Sequence, residues 1–81
     1  MKAKIYITLK DGIHDPQGQA VQQSLHMLGF DEVQDVRMGK FLEVELRGMD
    51  KESGQVQIKS MCQKLLANTV IEDFRYEIVE T

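Results

Sequence analysis

The chain has no tryptophan, a single cysteine and a single proline among its 81 residues, and only 6% of them are aromatic. One cysteine excludes an internal disulfide, so the fold rests on packing and hydrogen bonding. Basic residues are not in excess: 10 Lys and Arg stand against 13 Asp and Glu, a formal net charge of −3, which leaves no electrostatic footprint for nucleic-acid phosphates. No apolar run approaches the ~20 residues a membrane-spanning helix needs. Residues 1–9 alternate Lys and Thr with aliphatics rather than forming the apolar block of an export signal. The expectation is a cytoplasmic protein with neither a nucleic acid nor a membrane as partner. What the chain does have is 42% hydrophobic residues. At this length a fold buries only ~60% of the surface its unfolded form exposes. We therefore expect one domain over residues 1–81 that gains stability by associating with other chains.

Period-two alternation of Ala3, Ile5, Ile7 and Leu9 with Lys4, Tyr6, Thr8 and Lys10 predicts a first strand. Asp15-Pro16 then supplies a capping oxygen followed by a proline suited to the first helical position. Val21, Leu25 and Leu28 form the apolar stripe of the helix that follows, and Gly29 stands where a left-handed cap ends it. Glu32 to Met38 and Leu42 to Arg47 predict a hairpin turning at Gly39-Lys40. A second helix, capped by Asp50 or Ser53, carries Ile58, Met61, Cys62, Leu65 and Leu66 on one face and stops at Asn68, a residue that tolerates a left-handed backbone. Phe74 to Val79 form a last strand. The order is β-α-β-β-α-β: an α+β, two-layer arrangement in which two helices cover one face of a largely antiparallel sheet, as in ferredoxin-like folds.

The hairpin register has a physical argument. A two-residue loop would set Arg37 against Leu42 and Asp35 against Val44, whereas a three-residue loop, Gly39-Lys40-Phe41, pairs Met38 with Leu42 and Val36 with Val44 and keeps apolar side chains together. The longer loop leaves Phe41 at the tip or on the far face, as a candidate contact for a partner. The outer sheet face then carries Lys4, Tyr6, Thr8, Glu43 and Glu45, which suits a wet surface or a polar subunit interface.

Chemistry-bearing constellations are sparse. His14, His26 and Cys62 lack metal-ligand spacing, and Cys62 lies in an apolar stripe where a thiol acts as a small hydrophobe. Gly39-Lys40 does not complete a phosphate-binding loop, since that motif needs a glycine where Gln34 stands and a hydroxyl where Phe41 stands. Ser24, Ser53 and Ser60 fall in predicted helices without the strained turn that exposes a nucleophile. We expect no catalytic, cofactor-binding or metal-binding residue in this chain.

Several segments together are specific. Leu9-Lys10-Asp11-Gly12-Ile13-His14-Asp15-Pro16-Gln17-Gly18 precedes the first helix, Leu28-Gly29-Phe30 ends it, Val36-Arg37-Met38-Gly39-Lys40 follows, and Met61 to Asp73 closes the second helical region. In this order and over essentially the whole chain they resemble the PurS family, the small accessory subunit of phosphoribosylformylglycinamidine synthase. Thr69 stands where that family commonly has a proline.

The resemblance implies a non-catalytic assembly subunit in de novo purine synthesis, counted as an enzyme only within the complex. In the family's scheme PurQ releases ammonia from glutamine, PurL uses ATP and Mg to perform the ligation, and PurS joins them, aids ammonia transfer, and associates with itself as dimers or tetramers. No cofactor is expected on this chain. The family's elements map onto Asp15 and Gly18, onto Arg37, Gly39 and Lys40, and onto Asn68, Ile71 and Glu72, which with Phe41 form the candidate interface set. An alternative from fold analogy is a free-standing ferredoxin-like regulatory module that binds a small metabolite at a dimer interface.

Overall fold

A computed structural model describes residues 1–80. The elements are β1 (Lys2–Leu9), α1 (Pro16–Met27), β2 (Gly39–Glu45), α2 (Lys51–Met61) and β3 (Glu72–Val79), with a π-helical turn over Cys62–Leu66 continuing α2. Among the described residues, three strands form one antiparallel sheet in the order β2-β1-β3. Alternation in β1 sends Ala3, Ile5 and Ile7 to one face, where they are fully or almost fully buried with Ile58 and Cys62 of the second helical region. Leu42 and Val44 flank them on β2, and Phe74, Tyr76 and Ile78 on β3, all partly buried. The class is α+β with two helices, as expected.

Two expectations about the layout of the chain are corrected. Glu32 to Met38 do not form a strand, and no hairpin turns at Gly39-Lys40-Phe41: β2 begins at Gly39, and Leu42 and Val44 pair with Ile5 and Ala3 rather than with Met38 and Val36. Gly39 is not among the glycines with a left-handed backbone, so it does not turn. Its missing side chain serves close packing instead, since a Cβ there would lie 2.7 Å from the Ile7 carbonyl oxygen. Residues 32–38 run back along α1, where Gln22 Nε2 donates to the Gln34 carbonyl at 3.2 Å and His26 Nε2 lies 2.7 Å from the Val33 carbonyl oxygen.

The second correction concerns α1. Its stripe was expected in the core, yet no α1 side chain joins the core cluster, and Val21, Met27 and Leu28 are exposed. Together α1 and residues 30–38 form an arm that leans away from the sheet. The radius of gyration is 16.1 Å, with extents of 50 × 28 × 14 Å, against about 12 Å for a compact domain of this length. Val21, Leu28, Phe30 and Met38 therefore lie on the surface rather than inside.

The helix ends follow local chemistry. Asp50, rather than Ser53, caps α2 by accepting the Ser53 N–H at 2.8 Å. Gly29, at φ +98, closes α1 with the paired bonds Gly29 N to His26 O and Phe30 N to Leu25 O, both 3.0 Å. Asn68 is not left-handed, contrary to expectation. Its side-chain oxygen accepts the Val70 N–H at 3.2 Å, so a side-chain turn replaces the αL stop. The π turn inserts an extra residue before that stop, which moves Leu65 off the buried stripe and leaves it 82% exposed.

Candidate functional site

The arm meets the sheet at a joint built around Asp15. Pro16 opens α1 just after it, and Asp15 Oδ1 accepts the Gly18 N–H at 2.9 Å, as an N-cap should. Its other oxygen accepts the Met38 N–H at 2.8 Å, so one carboxylate ties the start of α1 to the residue that precedes β2. Arg37 holds the same joint from the other side: Nη1 donates to the Ile13 carbonyl at 3.0 Å, and Nη2 to those of Lys10 and Leu9 at 3.1 and 3.4 Å. The guanidinium thus gathers three carbonyls of the β1–α1 connection, a use that its neutral acceptors made invisible to charge-pairing arguments.

Asp15 is 7% exposed, and donated backbone bonds hold its carboxyl below the ordinary value of 3.8, first from Gly18 and then from Met38, with the Arg37 charge adding to the effect and burial opposing it. A carboxylate whose folded pKa is depressed contributes stability above its unfolded pKa and loses it as pH falls through the folded one. Denaturation midpoints are therefore expected to fall as pH drops from 5 to below 3, and Asp15→Asn is expected to be less stable at neutral pH with a flatter acid limb. An acid limb of unchanged slope in that variant would remove Asp15 from the explanation.

On the sheet side of the joint, Lys40 pairs with Glu72 at 3.6 Å, and Glu72 accepts the Asn68 N–H at 2.7 Å. Ile71 receives the Lys10 N–H on its carbonyl at 2.8 Å. A cleft of about 200 Å³ opens between these groups, lined by Asp15, Gln17, Lys40 and Glu72 over Ile7 and Leu9. Eight of the expected residues, Asp15, Gly18, Arg37, Gly39, Lys40, Asn68, Ile71 and Glu72, thus belong to one end of the molecule. Phe41 does not join them. It lies on the outer face of the sheet, its ring centroid 5.1 Å from that of Tyr6, and the Arg75 guanidinium carbon is 3.9 Å from the centroid of Tyr6.

The sequence reading missed Gln22 and His26 as arm-building residues and Arg75 as part of the aromatic stack. Gln22 and His26 are one helical turn apart, and that spacing was the available signal. Burial raises the Cys62 thiol pKa, in keeping with a structural role.

The joint's polar groups largely bond the chain's own backbone, while Val21, Met27, Leu28 and Phe30 of the arm are left exposed; this is the build of a subunit completed by other chains. The sequence matches, over residues 2–80, the family described as PurS: Phosphoribosylformylglycinamidine (FGAM) synthase. It is 53% identical over 79 residues to the phosphoribosylformylglycinamidine synthase subunit PurS of Bacillus subtilis, covering 98% of this chain and 93% of that one. The crystal structure of B. subtilis PurS superposes with a TM-score of 0.86 at 53% identity, covering 98% of both chains. A PurS-like chain in the structure of PurLQS from Thermotoga maritima superposes at 0.85, with 26% identity over 94% of this chain and 93% of that one. The chain belongs to the PurS family, a subunit of the FGAM synthase of purine biosynthesis.

Proposed function

We propose that this chain is the assembly subunit of the synthase and carries no step of the chemistry itself. It holds the glutaminase PurQ and the ligase PurL together in the cytoplasm, so that ammonia passes between them while ATP and Mg are used by PurL. The observation that carries this reading is the open arm: the apolar faces of α1 and of the β2 side of the sheet are left for another chain. A relative of the same fold stands in a complex named for PurL, PurQ and PurS. The free-standing regulatory module is set aside, because the relatives are synthase subunits over almost their whole length.

Self-association completes the fold first. After running back along α1, residues 32–38 lead straight into β2 instead of turning to pair beside it, so the outer edge of β2 is unpaired and Leu42 and Val44 lack a helix above them. The arm of a second copy supplies both missing parts: residues 32–38 as a fourth strand beside β2, and α1 as the second helix. Reciprocal exchange of this kind buries Val21, Leu25 and Leu28 in both copies.

Mixing the chain with PurL, PurQ, ATP, glutamine and formylglycinamide ribonucleotide is expected to restore glutamine-dependent amidine formation. PurL with ammonium salts is expected to need the chain far less. Equal glutamine-dependent rates with and without this chain would overturn the proposal.

A further inference from the structure

Exchange of arms closes the outer edge of β2 and leaves the opposite edge of the sheet, β3, without a neighbour among the described residues. The pairing of β1 with β3 shows which backbone groups stay free. The Lys10 N–H donates to the Ile71 carbonyl at 2.8 Å, and the ladder continues without a bulge from Leu9 with Glu72 to Lys2 with Val79. In an antiparallel ladder every second pair exchanges its hydrogen bonds. Asp73, Arg75, Glu77 and Val79 therefore turn their N–H and C=O groups to β1, whereas those of Phe74, Tyr76 and Ile78 point to the open side. The side chains of these three lie on the helix-covered face and are only partly buried.

Edge strands are ordinarily blunted by a proline, a lysine, a bulge or short length. β3 has none of these over its eight residues. Its charge is one-sided: over residues 72–80 the carboxylates of Glu72, Asp73, Glu77 and Glu80 stand against the single Arg75. Arg75 is already engaged with Glu77 at 3.2 Å and Glu72 with Lys40, which leaves Asp73 and Glu80 without an ion pair among the described residues.

We infer, on the assembly role proposed above, that the open edge of β3 receives an extended, basic segment of another subunit of the synthase as a further strand. The edge defines the chemistry of that segment. Residues directly opposite in adjoining strands share a face, so apolar side chains beside Phe74, Tyr76 and Ile78 alternate with Lys or Arg beside Asp73 and Glu77. The free N–H and C=O groups of the three edge residues hold it by main-chain bonds. A second copy fits this edge less well. Two β3 strands centred on residue 75 set Arg75 against Arg75 and Asp73 against Glu77, like charges directly opposed. Centred on residue 76, they set Glu72 against Glu80 and offer Arg75 only the kind of Glu77 contact it already has.

Amide hydrogen exchange of the full chain, alone and mixed with PurL, PurQ or both, tests the strand addition. The Phe74, Tyr76 and Ile78 amides are expected to exchange fast in the chain alone and to slow about tenfold or more in the complex. Those of Arg75 and Glu77 are expected to be protected in both states. Tyr76→Pro keeps the bonds to β1, which the odd-numbered residues make, and is expected to weaken complex formation about 100-fold; circular dichroism checks that its sheet is formed. Asp73→Lys combined with Glu80→Lys changes two exposed positions outside the core, so it does not depend on the proline variant folding. It is expected to weaken the complex about tenfold and to remove most of its salt dependence. A complex in which the three amides still exchange fast, or which the charge variant joins as tightly as the wild type, overturns the strand addition and leaves the assembly role standing. Protection of the same amides in the chain alone as its concentration rises gives the edge to a second copy and also overturns it. Absence of any complex with PurL and PurQ overturns the assembly role as well.

Discussion

Gly18→Ala is expected to cost about 3 kcal/mol or more of stability, although alanine in place of a helical glycine ordinarily gains up to ~1 kcal/mol. The reversal follows from what lies beside Gly18. A Cβ there would run into the Val36 carbonyl oxygen and approach Asp15 Oδ2 to 2.9 Å. Neither neighbour can yield freely: Asp15 is held by the Gly18 and Met38 amides, and Val36 precedes Arg37, whose guanidinium is bound to three carbonyls. Relief requires the strap of residues 32–38 to separate from α1, which breaks the joint. A domain of this length has about 4–12 kcal/mol in total, so the loss is a large share of it. Urea denaturation followed by far-ultraviolet circular dichroism measures the effect, and light scattering shows whether association goes with it. A variant as stable as the wild type would mean that the strap lifts off α1 at little cost and that the joint is not what fixes the arm.

Features with local causes were legible in the sequence. The Asp15-Pro16 start of α1 and the Gly29 end depend on a few consecutive residues and stand as read, and the α2 cap is Asp50, one of the two residues the sequence offered. Alternation in β1 identified Ala3, Ile5 and Ile7 as core. The misreadings share a different cause. An amphipathic stripe such as Val21, Leu25 and Leu28 says that an apolar partner exists, but not which chain provides it. Gly39-Lys40 between two β-prone runs reads the same whether the chain turns on itself or runs on. Nothing local marks the π turn that displaced Leu65. Of the site, the residues clustered at the joint were found through resemblance, whereas their roles depend on contacts distant in sequence, such as Arg37 with Leu9, Lys10 and Ile13.

Closing the expected hairpin by lengthening its hinge is the change with the largest structural consequence. Inserting Asn-Gly between Met38 and Gly39 is expected to convert the proposed arm-exchanged pair into a closed monomer. At present Gly39 cannot turn, because it is paired with Thr8 in the sheet and packed against the Ile7 carbonyl, while Met38 is tied to Asp15. Two added residues that accept left-handed backbone angles supply a tight turn, so that residues 32–38 can fold back along β2 of their own chain and α1 can cover its own Leu42 and Val44. Closed and exchanged forms make nearly the same contacts outside the hinge. The balance then rests on effective concentration: a segment tethered by a short hinge experiences roughly millimolar concentration, about 100-fold above a 10 μM solution, which favours closure by about 2.7 kcal/mol. Light scattering is expected to give the mass of one chain, and X-ray scattering a radius of gyration near ~12 Å, where the open chain alone has 16.1 Å. The closed monomer, folded but lacking free arms, is expected to lose the ability to support glutamine-dependent synthesis with PurL and PurQ. An insertion variant that remains paired would show that the arm is held open by the Asp15 and Arg37 bonds rather than by the shortness of the hinge. Adding Arg37→Ala to it should then release the arm.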